Sequence, residues 1–218
     1  MDRNEGRQEF SLDHGDNMSI VTLVSGGLDS TLLAKLAQEE GLSQFPLFID
    51  YGQRSLALEF AACQRAMAHL QLPQPEVANL AGYGALIRSG LTDSSLRVRE
   101  DAFTPGRNML FLLTASAYAY QVEAEAVSIG LLHEDTSLFP DQTSSFLREA
   151  ESMIKTCMGR NIKVLAPLSK FHKIEVVELA KNKGIRDTYS CHAGEEEPCG
   201  ACIACREYII EETSDGWR

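Results

Sequence analysis

The sequence predicts an α/β domain, a doubly wound parallel sheet followed by a C-terminal cysteine knot. Three observations predict it. From Ser19 onward, strand-like and helix-like stretches alternate, the pattern of a parallel sheet with helices on both faces. The first strand runs through Ser25-Gly26-Gly27 directly into a helical pattern. Four of the six cysteines fall within fifteen residues, between Cys191 and Cys205.

Ser19–Val24 is apolar and β-branched and reads as the first strand. Leu28, Leu32, Leu33 and Leu36 then recur at helical spacing. Phe45–Ile49 reads as a second buried strand, and Leu56, Phe60, Cys63, Met67 and Leu70 step by four, three, four and three along the next helix. Val77–Leu80 supplies a third strand, and Gly82–Thr104 is irregular apart from a short helical turn. Asn108–Gln121 is a Leu- and Ala-rich helix with Asn108 as its cap, followed by a strand at Ala126–Gly130. A loop at His133–Asp141 leads to a helix around Thr143–Cys157, a strand at Ile162–Ala166 and a helix from His172 to Lys183. Residues 1–17 are polar, lack periodicity and precede a second methionine, Met18; they read as a flexible acidic extension or a start-site artefact. The predicted division is 1–17 extension, 18–187 nucleotide-binding body and 188–218 cysteine-bearing segment.

Length and composition are those of one ordinary domain: 218 residues, 44% hydrophobic and 23% charged. Such a chain removes roughly 70% of its unfolded surface from water and needs no disulfide framework. The 20 basic and 31 acidic residues leave a net charge of −11, which repels a nucleic-acid backbone. The acid is concentrated at the ends: residues 1–17 carry −3, residues 195–218 carry −5, and the 177 residues between them only −3. No apolar run approaches the roughly 20 residues of a membrane span, and Ile20–Val24 is too short for a signal-peptide core. A cytoplasmic protein with reduced thiols is expected.

The loop Ser25-Gly26-Gly27-Leu28-Asp29-Ser30-Thr31 combines glycines that permit positive φ with three hydroxyls at a helix N-terminus. Backbone N–H groups, the helix dipole and these hydroxyls can hold a polyphosphate. A bare Gly-Gly turn needs no ligand to explain it, but the position after the first strand favours nucleotide binding. The Walker pattern G-x4-G-K-[ST] is absent, as is a well-placed G-x-G-x-x-G. Asp50-Tyr51-Gly52-Gln53-Arg54 follows the second strand at the edge where ligands collect. Arg54, Arg107 and Lys173 are candidates to bind phosphate and carboxylate. Cys191, Cys199, Cys202 and Cys205 have a C-x7-C-x2-C-x2-C spacing. Four thiolates suit tetrahedral Zn²⁺; an iron–sulfur cluster or redox thiols are the alternatives. Cys63 and Cys157 occupy apolar helix positions and read as packing residues. His14, His69 and His192 show no partners at ligand spacing and receive no role; His133 and His172 read as ordinary hydrogen-bonded histidines.

Ser25–Ser30 resembles the SGGxDS motif of the PP-loop ATP pyrophosphatases, of adenine nucleotide alpha hydrolase-like fold, which cleave ATP between its α- and β-phosphates. With SGGLDS, DYGQR, PGRN, FPD, PL-x4-K-x-E and the four cysteines in order, residues 19–210 resemble the 7-cyano-7-deazaguanine synthase family of queuosine biosynthesis. The resemblance implies a carbon–nitrogen ligase that adenylates 7-carboxy-7-deazaguanine, lets ammonia displace AMP to form an amide, and makes the nitrile in a second ATP-dependent step. By position it implies that Val24, Ser25, Gly26, Gly27, Leu28, Asp29, Ser30 and Thr31, with Asp50 and Arg54, surround ATP. Asp29 would lie near Mg²⁺ and pyrophosphate, Lys173 and Arg107 would act on the reacting groups, and the four cysteines would hold Zn²⁺. Asp135, Phe139 and Asp141 fall in the substrate stretch. A homodimer is also in keeping with the family.

Two departures from the family pattern bear on function. Where the family commonly shows E-T-D-x-S-G-Y-P-D-C-R, this chain ends the stretch in Asp141-Gln142-Thr143, and the first cysteine spacing is x7 rather than x8. The loss of an Arg motivates a rival reading, a diverged paralogue that passes the activated carboxylate to an amine of a protein or other macromolecule, for instance in anti-phage defence. A PP-loop tRNA sulfurtransferase is disfavoured by the net charge and by the lack of a cysteine pair beside the loop. A zinc-knot binding module for nucleic acid is disfavoured by Glu195-Glu196-Glu197 inside the knot.

Overall fold

The computed structural model describes residues 18–207. The expected extension at 1–17, and residues 208–218 of the C-terminal segment, lie outside the described residues. Five strands and six α-helices follow the alternation expected from the sequence: β1 (Ser19–Leu23), α1 (Leu28–Glu39), β2 (Ser43–Asp50), α2 (Leu56–His69), β3 (Glu76–Asn79), α3 (Ala81–Leu86), α4 (Arg107–Gln121), β4 (Ala126–Ser128), α5 (Ser144–Met158), β5 (Lys163–Leu165) and α6 (Lys173–Asn182). Expected and observed bounds agree to within one or two residues.

All pairings are parallel, in the order β3-β2-β1-β4-β5. The period of two along β1 explains why both faces are covered. Val21 and Leu23 face α4 and α5, meeting Leu112, Ala115 and Ile154. Ile20 points the other way, toward Leu32, Leu33 and Leu36 of α1 and Val176 of α6. Phe48 of β2 packs with Cys63 and Met67 of α2, so the packing role expected for Cys63 holds; Cys157, expected to pack as well, is exposed on α5. Complete burial of a Leu or Ile side chain stabilises by about 1.5–3 kcal/mol, and Ile20, Leu32, Leu33 and Leu112 are all fully buried.

Two local features differ from expectation, each for a stated reason. β2 begins two residues early because the buried amide of Gln44 is satisfied: it accepts from Thr22 Oγ1 at 2.9 Å and donates to the Ala34 carbonyl at 2.9 Å. Pro46 is tolerated in this strand because pairing with β3 begins only at Leu47. Asn108 does not cap α4. The cap is Gly106, in the left-handed region at φ 76°, and Asn108 lies inside the first turn. Among the described residues no helix is long and apolar enough to cross a membrane.

Because β1 is central, the chain leaves it toward β2 on one side and returns beside it as β4. The loops after β1 and β4 therefore diverge above the carboxyl ends of the strands and open a crevice there.

Candidate active site

β1 delivers the loop Ser25–Gly27 to the N-terminus of α1. Gly26 has φ 79°, and a Cβ there would lie 2.4 Å from the Glu59 carbonyl oxygen and 2.5 Å from the Cys63 amide nitrogen. The loop thus rests directly on the backbone of α2. From the other side, the Tyr189 N–H donates to the Gly26 carbonyl at 2.9 Å. Ser30 ties the turn together: its hydroxyl accepts from the Ser25 N–H at 3.1 Å, lies 3.1 Å from Ser25 Oγ and donates to the Gly27 carbonyl at 3.2 Å. The result is a preformed turn at a helix N-terminus with the Ser25 side exposed, able to receive an anion.

Above the loop lies an open cavity of about 300 Å³. Lys173, the first residue of α6, reaches across to Asp29 in the first turn of α1, with Nζ 2.8 and 3.0 Å from the two carboxylate oxygens. Glu207 Oε2 lies 3.3 Å from the same nitrogen. Arg107, the first residue of α4, places its guanidinium carbon 5.8 Å from the ring centroids of both Tyr51 and Phe111, a cation–π arrangement. Burial pushes the Tyr51 phenol up to about 12, against the opposing pull of Arg107. Glu59, in the first turn of α2, accepts from Ser55 Oγ at 2.7 Å and Gln53 Nε2 at 3.1 Å. Burial raises its carboxyl above the ordinary range, more than those hydrogen bonds lower it. His192 Nδ1 is buried and has no hydrogen-bond partner among the described residues. Burial first, then Arg107 and Lys173, bring its imidazole down to about 4, so the ring is neutral at pH 7.

The predicted residues divide into those at the cavity and those away from it. Val24, Ser25, Gly27, Leu28, Asp29, Ser30, Arg107, Phe139 and Lys173 line it. Gly26 shapes the turn from beneath, and Thr31 is buried within α1, its hydroxyl without a hydrogen-bond partner among the described residues. Asp50 accepts from the Gly52 N–H at 2.9 Å and closes a turn. Arg54 points away from the cavity, donating from Nη1 to the Gly90 carbonyl at 3.2 Å. The Asp135 side chain is 76% exposed, beside His133 at 3.6 Å. Asp141 turns toward α4: its carboxylate accepts from the Asn108 N–H at 3.2 Å, and its carbonyl accepts from Asn108 Nδ2 at 2.8 Å. The anion at that helix N-terminus is therefore the chain's own. Gln142 and Thr143 serve the fold of this stretch. Gln142 Oε1 accepts from the N–H groups of Leu138 at 3.0 Å and Phe139 at 2.9 Å, and Thr143 caps α5 by accepting from the Phe146 N–H at 3.2 Å.

Sequence reasoning placed Tyr51 at the ligand edge without giving it a role, and missed Glu59, His192 and Glu207 as cavity residues. For Glu59 a signal existed, since Ser55 and Glu59 are spaced to meet on a helix. His192 and Glu207 carry no local signal; only tertiary folding brings the segment after α6 back over the loop.

The four cysteines of that segment converge, their Sγ atoms all within 4.8 Å of one another. The N–H groups of Cys199, Cys202 and Cys205 donate to the sulfurs of Cys191, Cys199 and Cys202 at 3.4, 3.3 and 3.4 Å. Burial raises the Cys199 thiol, but N–H donors from Cys202 and Ala201 outweigh it and bring it down to about 7. A tetrahedral ion with metal–sulfur bonds of about 2.3 Å needs sulfurs about 3.8 Å apart, and Cys199 and Cys205 stand at 4.0 Å. The donor set fits a bound metal ion. The knot is docked by Gly194, where a Cβ would lie 2.4 Å from the Arg54 carbonyl oxygen.

Comparison with known proteins places this geometry in a family. The family model for queuosine biosynthesis protein QueC matches residues 19–208. The 7-cyano-7-deazaguanine synthase of Sulfurovum sp. (strain NBC37-1) is 34% identical over 198 residues, covering 85% of this chain and 89% of the relative. That of Acetivibrio thermocellus is 32% identical over 200 residues, covering 85% and 88%. Among solved structures, the U34-tRNA thiolase NcsA from Methanococcus maripaludis, with its [4Fe-4S] cluster, superposes with a TM-score of 0.56 at 15% identity, over 96% of this chain and 70% of that one. NMN synthetase from Francisella tularensis gives 0.53 at 18% identity, over 92% and 78%. The structural neighbours share the PP-loop fold; the sequence relatives, all synthases, and the family model show that this chain belongs to the queuosine biosynthesis protein QueC family.

Proposed function

We propose that this enzyme uses ATP to adenylate the carboxylate of 7-carboxy-7-deazaguanine and transfers the acyl group to ammonia, on the way to 7-cyano-7-deazaguanine. The observation that carries the reading is the Lys173–Asp29 pair, poised across an intact Ser25–Ser30 loop in a chain matched to the family from residue 19 to 208. A substrate carboxylate oxygen attacks the α-phosphorus and pyrophosphate leaves. Loop N–H groups and the Ser25 hydroxyl receive the polyphosphate, and Lys173 faces the developing charge. Arg107, held on Tyr51 and Phe111 at the cavity wall, suits the carboxylate. Ammonia then displaces AMP to give the amide; the amide oxygen attacks a second ATP with release of pyrophosphate, and departure of AMP with loss of both N–H protons leaves the nitrile.

Mg²⁺ would offset charge on the phosphates, with Asp29 as its protein contact. Cys191, Cys199, Cys202 and Cys205 would hold Zn²⁺, a closed four-thiolate set that fixes the segment carrying His192 and Glu207 against the body. We read residues 18–187 as the nucleotide-binding body and 188–218 as the metal-bearing segment.

A second reading is favoured by one observation: Gln142 and Thr143 are both engaged in folding their own turn. The stretch where the family commonly carries an Arg thus offers the substrate no cation. A paralogue that passes the acyl group to a macromolecular amine is consistent with that change.

Incubation of the protein with ATP, Mg²⁺, ammonium and 7-carboxy-7-deazaguanine, followed by mass spectrometry, separates the two. AMP, pyrophosphate and nitrile are expected on the first reading. Amide alone, or a mass addition on a partner, supports the second. ADP as the sole nucleotide product overturns both.

A further inference from the structure

The corner of the cavity around Lys173 holds more negative charge than an empty phosphate site requires. The Lys173 ammonium has three N–H groups, and carboxylates among the described residues claim it, including Asp29 at 2.8 and 3.0 Å and Glu207 at 3.3 Å. The two arms differ in access. The Lys173 side chain is 13% exposed, Asp29 28% and Glu207 39%, so the Glu207 arm borders solvent. Glu207 belongs to the helical turn at residues 203–207, two residues beyond Cys205. The N–H···S bonds of Cys202 and Cys205 hold the start of that turn.

We propose that Glu207 determines the site's preference for a polyphosphate that arrives with a divalent cation over one that arrives bare. The inference rests on the adenine-nucleotide reading above. Asp29, Lys173 and Glu207 together carry a net charge of −1. A bare polyphosphate that approaches from solvent meets the ammonium on its Glu207 side, and it then lies beside the carboxylate it displaces. A polyphosphate with its cation meets the same carboxylate as an attractive neighbour. Glu207 therefore penalises the bare form and spares the metal-bound one. The cysteine knot, by holding the 203–207 turn, keeps the carboxylate where it exerts this effect.

The test is equilibrium binding of α,β-methylene-ATP by calorimetry, on the full chain with its cysteine site metal-loaded, at pH 8. Binding is measured with Mg²⁺ and in buffer freed of divalent cations by resin. In the wild type, Mg²⁺ is expected to tighten binding strongly. In Glu207→Gln the ratio of the two affinities falls by about tenfold, mainly through tighter binding of the bare analogue, the size of one unit charge acting over a few ångströms of well-solvated space. Glu207→Asp retains most of the ratio, and Glu207→Ala supplies an independent charge-removing variant should the Gln variant misfold. A purely structural role for Glu207 weakens both forms alike and leaves the ratio unchanged. An unchanged ratio in Glu207→Gln and Glu207→Ala, or the same loss in Glu207→Asp, overturns the inference alone. Failure of the wild type to bind the analogue in either form overturns the nucleotide reading with it.

Discussion

Gly26 and Gly27 are adjacent, yet the structure requires glycine at them for different reasons, and single alanine substitutions separate the two. At Gly26, φ is 79° and an added Cβ would sit 2.4 Å from the Glu59 carbonyl oxygen and 2.5 Å from the Cys63 nitrogen. Both are backbone atoms of α2, so neither can swing aside as a side chain would. The left-handed conformation costs an alanine about 1–2 kcal/mol, and forcing α2 or the loop outward adds about 1–3 kcal/mol. Gly26→Ala is therefore expected to lose about 2–5 kcal/mol of stability, a fall in Tm of roughly 5–15 °C at this chain length. Gly27 has φ −77° and ψ 166°, ordinary for any residue, and its Cβ would meet the hydroxyls of Ser25 at 3.4 Å and Ser190 at 3.5 Å and the Tyr189 carbonyl oxygen at 3.6 Å, all ordinary contacts. Loss of the glycine cap costs about 0.5–1 kcal/mol there, while the new methyl group crowds the approach to the loop's N–H groups. Gly27→Ala should fold nearly as well as the wild type and bind α,β-methylene-ATP at least about tenfold more weakly. Urea unfolding and calorimetry test the pair. If Gly26→Ala stays within about 0.5 kcal/mol of the wild type, the close contact with α2 does not shape the loop. If Gly27→Ala binds normally, the phosphate-approach argument fails.

Lys173→Met leaves the half-buried Asp29 carboxylate without its ammonium. The expected cost is about 1–3 kcal/mol in urea unfolding, with pyrophosphate release slowed roughly a hundredfold or more; wild-type turnover would remove Lys173 from the chemistry. Cys202→Ser is expected to abolish the one zinc ion per chain that elemental analysis should find in the wild type, and to lower Tm. Iron with visible absorbance after anaerobic purification would contradict zinc. His192 links stability to pH. Its folded pKa of about 4 lies below the unfolded value, so its contribution is complete above about pH 6.5 and is lost as pH falls toward 4. Between those limits the loss amounts to about 1–3 kcal/mol, seen as a steeper decline in wild-type stability than in His192→Phe; parallel profiles would show that burial does not suppress the charge.

What the sequence made legible was whatever repeats along the chain at short range. The β-branched run at Ser19, the four-three steps from Leu56 to Leu70 and the C-x2-C pairs each announce a local structure, and each formed where expected. The site was harder to read because direction and distance along the chain are not local. Arg54 belongs to the right turn, but its carbonyl is packed beneath Gly194 and its guanidinium bonds Gly90, so it faces away from the loop. Asp141 was expected to meet substrate, yet the first-turn N–H of Asn108, which has no partner within its own helix, claims its carboxylate. Glu59 resembles a solvated charge at the start of α2; its contacts with Ser55 and Gln53 are local, and the burial that raises its carboxyl comes from the tertiary fold. Glu207 is 178 positions from Asp29 in the chain, and no pattern at either end signals their shared ammonium.

The two cations at the cavity differ in how they are held, and on the proposed reading that difference assigns their tasks. Arg107 is supported by the faces of Tyr51 and Phe111. Aromatic faces stabilise a guanidinium, and a hydrogen bond to Tyr51 engages one of its five donors, so Arg107 meets a carboxylate already oriented. Lys173 is supported by carboxylates, which occupy the very donors that a phosphate needs. Its partner must change before it can act, and the change is favourable only when other positive charge accompanies the phosphate. Arg107 suits the step that positions the acid, and Lys173 the step that depends on metal-bound ATP. The net charge of −11 is compatible with this arrangement because the acids that matter to the nucleotide are Asp29 and Glu207, whose positions govern binding more directly than the total.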